Sequence, residues 1–478
     1  MSNFLLFTTE EWRFWRRSRM ASSVFVIGLV LLLCSIALTT YQMSRAAHER
    51  AHLQAASEQA FLEQPARHPH RMVHYGHYVF REPTVLSMID PGLDAFTGNS
   101  IFLEGHRQNT AMFADRQANP SETLFGALSP ALLLQTLAPL MIILLGYHAV
   151  VREREARTFE QLLVMGCSPV QMLAGKGLAL GGAVAVILLP LVAALGVAVG
   201  KGESFLIAAL FLAGYVIYLL FWCALSLFVS FFATTRGASL GVLLCIWIVV
   251  VLLIPPLASA IARQQVEVPG KIASDFAVIE AAKEKGDGHN AADPAFAVLK
   301  ANLLAQYDVE SIEQLPINFR GVVAQHAEAE LTDLLNEYAG QRMQAETEQA
   351  EFSRLFGWVS PLICIREFSM IIASVDLANH HRFLREAEAV RYDFVQSLNK
   401  VHETQMAYVD DINRSRDSAA EKRTRVSADN WQVLDSFRFQ AASVNERLSA
   451  SRDATIKLLV WLFMAIALCL VVTRRRAL

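Results

Sequence analysis

Residues 66–80 read ARHPHRMVHYGHYVF, which places His68, His70, His74 and His77 within ten positions, beside Tyr75, Tyr78 and Phe80. Neutral imidazole is a ligand for zinc, copper and nickel, and a closed site takes three or four donors. His48 and His52, one helical turn apart, and His106 are further donors nearby, so seven of the 13 histidines fall between residues 42 and 128. Three readings stand: a metal site at His68, His70, His74 and His77, a packed and hydrogen-bonded structural cluster, or a surface for a partner or substrate. Pro69 stiffens the first pair, and the spacing H-x-H-x3-H-x2-H matches no well-defined metal signature, so the residues alone favour the structural cluster.

A second stretch has a mechanical rather than a catalytic character. Residues 152–180 read REREARTFEQLLVMGCSPVQMLAGKGLAL. A charged turn leads into an amphipathic helix, then a Ser-Pro break, then a short helix ending in Gly175-Lys176. A short helix with an apolar face and a charged rim fits a groove on a soluble partner. Catalytic motifs are missing elsewhere. A phosphate-cradling loop needs G-x-x-x-x-G-K-[ST], and neither GVAVGKG at 196–202 nor GKG at 175–177 satisfies it. GCSPV is not a nucleophile elbow, and His380-His381 after Asp376 reads as a polar helix surface.

The elements that must position these residues are set by composition. The 478 residues are 54% hydrophobic, with a mean hydropathy of +0.33, above the usual range of a soluble chain. Six apolar runs are long enough to cross a bilayer: about 21–41, 129–151, 178–200, 205–232, 238–261 and 455–473. None has an acidic or basic residue in its interior, which argues against a proton or ion relay. The first run is too long for a signal-peptide core and lacks a small-x-small cleavage site, so it reads as a retained anchor. Gly177/Gly181, Gly196/Gly200 and Gly237/Gly241 have GxxxG spacing, read as helix packing within the bundle.

Lys and Arg cluster before the first run, between the second and third, between the fourth and fifth, and after the sixth. An even number of spans puts all four sets on one side, and the positive-inside rule makes that side the cytoplasm. The expected fold is an α-helical integral membrane protein with six transmembrane helices and both termini cytoplasmic, carrying a small mixed and a larger mainly helical periplasmic region. Its segments are a cytoplasmic helix at 1–20, the first span at 21–41, periplasmic region 1 at 42–128 and the second span at 129–151. A cytoplasmic segment follows at 152–177, spans three to five at 178–261, periplasmic region 2 at 262–454, the sixth span at 455–473 and a tail at 474–478. Region 1 continues the first span as a helix until Pro65 and Pro69, with turns at DPG (90–92) and TGN (97–99). Helices are expected at 321–355, 382–408 and about 416–454, the last running straight into the sixth span. Residues 355–377 are apolar but interrupted by Pro361, Arg366 and Glu367, and read as a core helix of the outer domain or an interfacial helix. Of six cysteines only Cys364 lies in an outer region, so neither a disulfide framework nor thiolate metal ligation is available there. No basic block points to nucleic acid.

The 152–180 stretch resembles the permeases of type-2 ABC exporters, the ABC-2 family. Their second and third spans are joined by E-R-E-x-G-T-x-E-x-L-L, a Pro-containing turn and G-K. Glu153, Arg154 and Glu155 match the start, Thr158, Glu160, Leu162 and Leu163 the middle, Pro169 the turn, and Gly175 and Lys176 the end. Arg157 stands where the family usually has Gly. The N-terminal NFLLFTTEEWRFWRRSRM is similar to the family's elbow helix, and residues 74–109 and 360–394 resemble the subgroup with large extracytoplasmic insertions. The resemblance implies a permease of a bacterial inner membrane that is not itself an enzyme. It implies coupling through Glu153, Glu155, Thr158, Glu160, Leu162, Leu163, Pro169 and Lys176 to a cytoplasmic ABC ATPase dimer, which binds the ATP, and pairing with a second, identical or similar permease; the chain itself needs no cofactor. The rival expectation is an energy-independent, membrane-anchored scaffold whose outer regions bind a metal or a periplasmic partner.

Overall fold

The computed structural model describes residues 3–112, 128–286, 288–434 and 437–475. Part of the first insertion (113–127) and the last residues of the basic tail therefore lie outside the described residues. Helix α1 (Asn3–Arg17) ends at Ser18, whose hydroxyl caps α2 (Arg19–Leu62) by accepting from the Ala21 amide. Then come α3 (Pro69–Tyr75), strands β1 (His77–Phe80) and β2 (Ser100–Leu103), and α4 (Pro130–Glu155). The short α5 (Phe159–Val164) precedes α6 (Pro169–Gly200), α7 (Phe205–Phe232) and α8 (Arg236–Gln265). The second insertion contains α9 (Phe319–Leu355), α10 (Pro361–Ile372) and α11 (Leu377–Gln405), and α12 (Arg452–Arg475) closes the chain.

Six of these helices, α2, α4, α6, α7, α8 and α12, are long and apolar enough to cross a membrane. They are not equally enclosed. The most apolar window is 67% buried in α4 and 50% in α6 and α7, but only 22%, 17% and 22% in α2, α8 and α12. The first three form the bundle centre, and the other three present apolar faces outward: Val26, Ile27 and Leu33 on α2, Leu253 and Leu257 on α8, Phe463 and Val471 on α12. The glycine pairs divide accordingly. Side chains at Gly177 and Gly181 would meet Leu227 and Leu220 of α7, whereas at Gly196, Gly200, Gly237 and Gly241 they would meet nothing within 4 Å among the described residues. The packing expected of all three pairs is therefore made within the chain by the first alone.

Helix α2 is 44 residues long, about 66 Å at 1.5 Å per residue and twice a hydrocarbon core of about 30 Å. It leaves the bundle and carries the first insertion, ending three residues before Pro65 as expected. Strands β1 and β2 pair antiparallel, His77 opposite Leu103 and Phe80 opposite Ser100. The DPG turn forms with the Asp90 carboxylate accepting from the Gly92 amide at 3.0 Å.

The two insertions form one body. Phe61, Met72 and Val73 of the first share a core with Phe394, Val395, Leu398, Met406 and Trp431 of the second. Val79, Ile101 and Leu103 share another with Phe383, Ala387 and Phe439. Two expectations need correction. The helix from about 416 into the sixth span is not continuous: short helices at Ser418–Arg423 and Val444–Ala450 are separate elements with a 3-10 helix at Ala428–Leu434 between them, and the chain turns again at Ser451 before α12. Helix α10, expected in the outer domain or on a membrane surface, instead joins the core of the spans. Phe368 fills the notch left by Gly214 of α7, Ser360 donates to the Val250 carbonyl of α8 at 2.7 Å, and Trp461 of α12 donates to the Gly357 carbonyl at 2.9 Å. Arg366 and Glu367 do not prevent this, because Glu367 pairs with Arg354 at 2.9 Å.

Candidate functional site

The helix ends on either side of the loop between α4 and α6 are braced by charge to each other and to α1 and α8. Lys176, 1% exposed, stands between Glu11 of α1 at 2.6 Å and Glu153 of α4 at 3.1 Å, and donates also to the Ala149 carbonyl. Arg152 reaches the same Glu11 oxygen at 2.9 Å. Thr158 donates to Glu153 at 2.8 Å. Glu155 accepts from the Arg236 amide at 2.7 Å and pairs with its guanidinium, tying the loop to the start of α8. Arg154 lies over the rings of Phe159 and Phe231. A buried ammonium is tolerable only when paired and hydrogen-bonded, and here two carboxylates and a carbonyl do so. The adjacent glycine has its own reason: a Cβ at Gly175 would collide with the Phe4 carbonyl of α1, and Thr8 donates to the Gly175 carbonyl at 2.8 Å.

Of the residues singled out in the sequence, Glu153, Glu155, Thr158 and Lys176 are thus brought into the brace. Pro169 is the first residue of α6, behind a capping box of Ser168 and Gln171. The short separate helix expected before Gly175-Lys176 is the first two turns of α6 itself. Helix α5 anchors itself by buried Phe159 and half-buried Leu162, while Glu160 and Leu163 face outward. Beyond them Val164 and Met165 are 89% and 79% exposed. The result is an apolar tip on a rigidly held loop. Sequence reasoning missed Glu11, a carboxylate in the middle of α1, and Arg236, the first residue of α8, which only the fold brings to this place. Arg157 has φ +57°, the left-handed residue that ends α4, with the Thr158 amide bonding back to the Glu153 carbonyl at 2.9 Å. Glycine suits this position best.

The four histidines of 66–80 do not meet at one point. Pro69 starts α3, making His68 its N-cap: its Nδ1 accepts from the His70 amide at 3.2 Å, and its Nε2 turns to Asp411 at 3.2 Å. Asp411 also takes His402 at 2.8 Å, the Asn318 amide at 3.3 Å and Arg320 at 3.4 Å, with Arg414 at 3.6 Å. Burial raises this carboxyl, but its hydrogen bonds from His402 and His68 and the nearby Arg320 hold it well below the usual carboxylate range. Burial lowers His68 to about 4. Two guanidiniums and an amide crowd this carboxylate, so the group is a structural knot. His77, past the Gly76 turn, is buried on β1 beside Ser57 and Phe61, and His48 and His52 are exposed on α2.

His70 and His74 share one face of α3, their Nε2 atoms 3.2 Å apart. His106 and His289 complete a four-ring group with them, every pair of ring centroids lying between 4.7 and 5.8 Å. His70 is lowered to about 2, by burial first and then by its neighbours His74, His106 and His289, and burial lowers His74 as well. His289 comes from the second insertion and was not signalled by the sequence beyond its place in the Gly-rich loop GDGHN. The pair His380-His381 is not a polar surface: both rings are packed, with His381 2.7 Å from Glu346 and His380 lowered to about 4 by burial and then by Arg81.

A family model described as ABC-2 family transporter protein matches residues 9–353. A second, described as a domain of unknown function (DUF3526), matches residues 275–440. No curated protein matches the chain.

Proposed function

The chain belongs to the ABC-2 family of transporter proteins, and on that footing we propose that it is the permease subunit of an ATP-driven transporter whose ATPase is a separate chain docking on α5. The observation that carries this reading is the exposed tip of Leu163, Val164 and Met165, with Glu160 at its rim, on a short loop whose flanking helix ends, on α4 and α6, are ion-paired to each other and to α1 and α8. A partner that grips such a tip moves several helices at once, because the buried pairs resist independent displacement. The Lys and Arg distribution supports a cytoplasmic position for this loop and for both termini, and a periplasmic position in a bacterial inner membrane for the two insertions. The outward apolar faces of α2, α8 and α12, with Gly237 and Gly241 unopposed, suit a second permease, the same chain or a similar one. Helix α2, continuous from the bundle into the insertions, is the rod through which motion reaches the outer body, either opening a path between permeases or doing mechanical work there. ATP binds the partner, and this chain contributes no catalytic group.

The test is gentle purification of the tagged chain from its native membrane, alongside Val164→Asp/Met165→Asp and Glu160→Arg. The expected result is an ATP-hydrolysing subunit that accompanies the wild type and is lost from both variants at unchanged melting temperature. A wild type without an ATPase in several mild detergents, or equal retention by the tip variant, would leave the rival reading, an energy-independent scaffold.

A further inference from the structure

We infer that His70, His74, His106 and His289 form a transition-metal site that clips the two insertions together, taking a borderline dication such as zinc. One nitrogen from each ring lies within 4.8 Å of those of the other three. A tetrahedral zinc with bonds of about 2.0–2.1 Å needs nitrogens roughly 3.3 Å apart, and the His70–His74 pair is already at 3.2 Å. Modest ring rotations bring in the others, and His74 and His289 are exposed.

Each ligand is placed by a local feature of the backbone. His70 and His74 are i and i+4 on α3, so their rings meet edge to face on one side of the helix. His106 has φ +62°, an uncommon conformation for a non-glycine residue. It is held there by the Gly105 amide donating to the Val73 carbonyl of α3 at 2.9 Å, at a point where any side chain on Gly105 would strike Val73. His289 follows Gly288, where a Cβ would come within 2.7 Å of the Ala327 Cβ on α9; glycine lets the loop lie directly on the helix. Strain gathered at converging donors is characteristic of functional sites.

The surroundings of His106 select its protonation. Nδ1 lies 2.8 Å from Oε2 of Glu328, which is fully buried, and Glu328 in turn is held by Arg391 at 2.6 Å. A carboxylate on one ring nitrogen keeps the proton there and leaves the other nitrogen as a donor, the usual outer-shell arrangement of a metal-bound histidine. That other nitrogen, Nε2, is buried and has no hydrogen-bond partner among the described residues. Four imidazoles without thiolates suit zinc, copper(II) or nickel(II) rather than calcium or magnesium. With four protein donors the coordination is closed, so the site is structural: it joins α3 and the His106 turn to the Gly288-His289 loop that lies on α9.

The full-length protein in detergent, stripped with a chelator, would be titrated with zinc in competition with a chromogenic chelator, and with cobalt(II) to read coordination from its visible absorption. The wild type is expected to take up about one equivalent with a tetrahedral cobalt spectrum, and to melt at a higher temperature when loaded. His74→Ala and His289→Ala, exposed positions whose loss leaves the fold intact, are each expected to weaken binding by at least about tenfold and to abolish the stabilisation. His48→Ala, on the exposed α2 pair, is expected to bind as the wild type does. A wild type that binds no zinc at micromolar concentration, or variants at 74 and 289 that bind as tightly as it does, would overturn the inference.

Discussion

Arg157 carries a backbone angle that costs a side-chain-bearing residue about 1 kcal/mol or more, and its own side chain is exposed. Arg157→Gly is therefore expected to stabilise the protein by about 1 kcal/mol while leaving ATPase retention unchanged, read as a rise in melting temperature. The histidines set a second residue-scale behaviour. His68 and His380 are buried and titrate near 4, whereas in an unfolded chain they would titrate near 6.5. Between these values the unfolded state binds more protons, so the contribution of both groups is complete above about pH 6.5 and is lost as pH falls towards 4. Melting temperature should decline across that window, and His380→Gln should flatten part of the decline.

At the scale of elements, two helices carry the argument. The α2 rod is uninterrupted for 44 residues, while the approach to the sixth span is broken at Ser451. A Gly-Gly insertion between Arg45 and Ala46 should therefore leave membrane insertion and ATPase retention intact but uncouple ATP hydrolysis from the outer body. The same insertion at Ser451 should be tolerated. Comparing the ATPase-dependent output of the two insertions checks this, and equal loss in both would remove α2 from that role. Helix α10 depends on the notch at Gly214, since a Cβ there would collide with the Phe368 ring. Gly214→Val is expected to destabilise by about 1–3 kcal/mol through overpacking, with a lowered melting temperature and increased labelling of Cys364, which is 1% exposed in the packed state.

The whole molecule is a bundle joined to one outer body made from two insertions far apart in sequence. The second insertion closes a small core of its own around Phe296, Phe319 and Val323, but Phe61, Met72 and Val73 of the first are needed to cover Phe394, Val395 and Leu398. Residues 263–454 produced alone should expose that face, aggregate and bind a hydrophobic dye. Supplying the first insertion on the same chain should cover the Phe394, Val395 and Leu398 face and lower dye binding, leaving exposed the α10 face that the spans cover in the intact protein. An isolated second insertion that is soluble and melts cooperatively would contradict the shared core. The metal clip would act across the same seam, adding a polar tie to an apolar one.

Much of this was legible in the residues. Runs of about 20 apolar side chains force helices in a bilayer whatever surrounds them, so the six candidate spans could be read directly. The prolines after Leu62 marked the end of α2, and the DPG and TGN turns marked the breaks around β2. The charge spacing of 152–176 carried the family resemblance. The partners of those charges could not be read, because Glu11 reaches Arg152 and Lys176, and Arg236 reaches Glu155, only when α1, α4, α6 and α8 pack. The histidines show the same division most clearly. Their number and their i, i+4 pair are written in the chain, but proximity in sequence does not order imidazoles in space. Pro69 turned His68 away to Asp411, Gly76 sent His77 into a strand, and Gly288, lying on Ala327 of α9, admitted His289 from more than 180 residues downstream. Local chemistry determined which donors exist; the packing of the two insertions decided which of them converge.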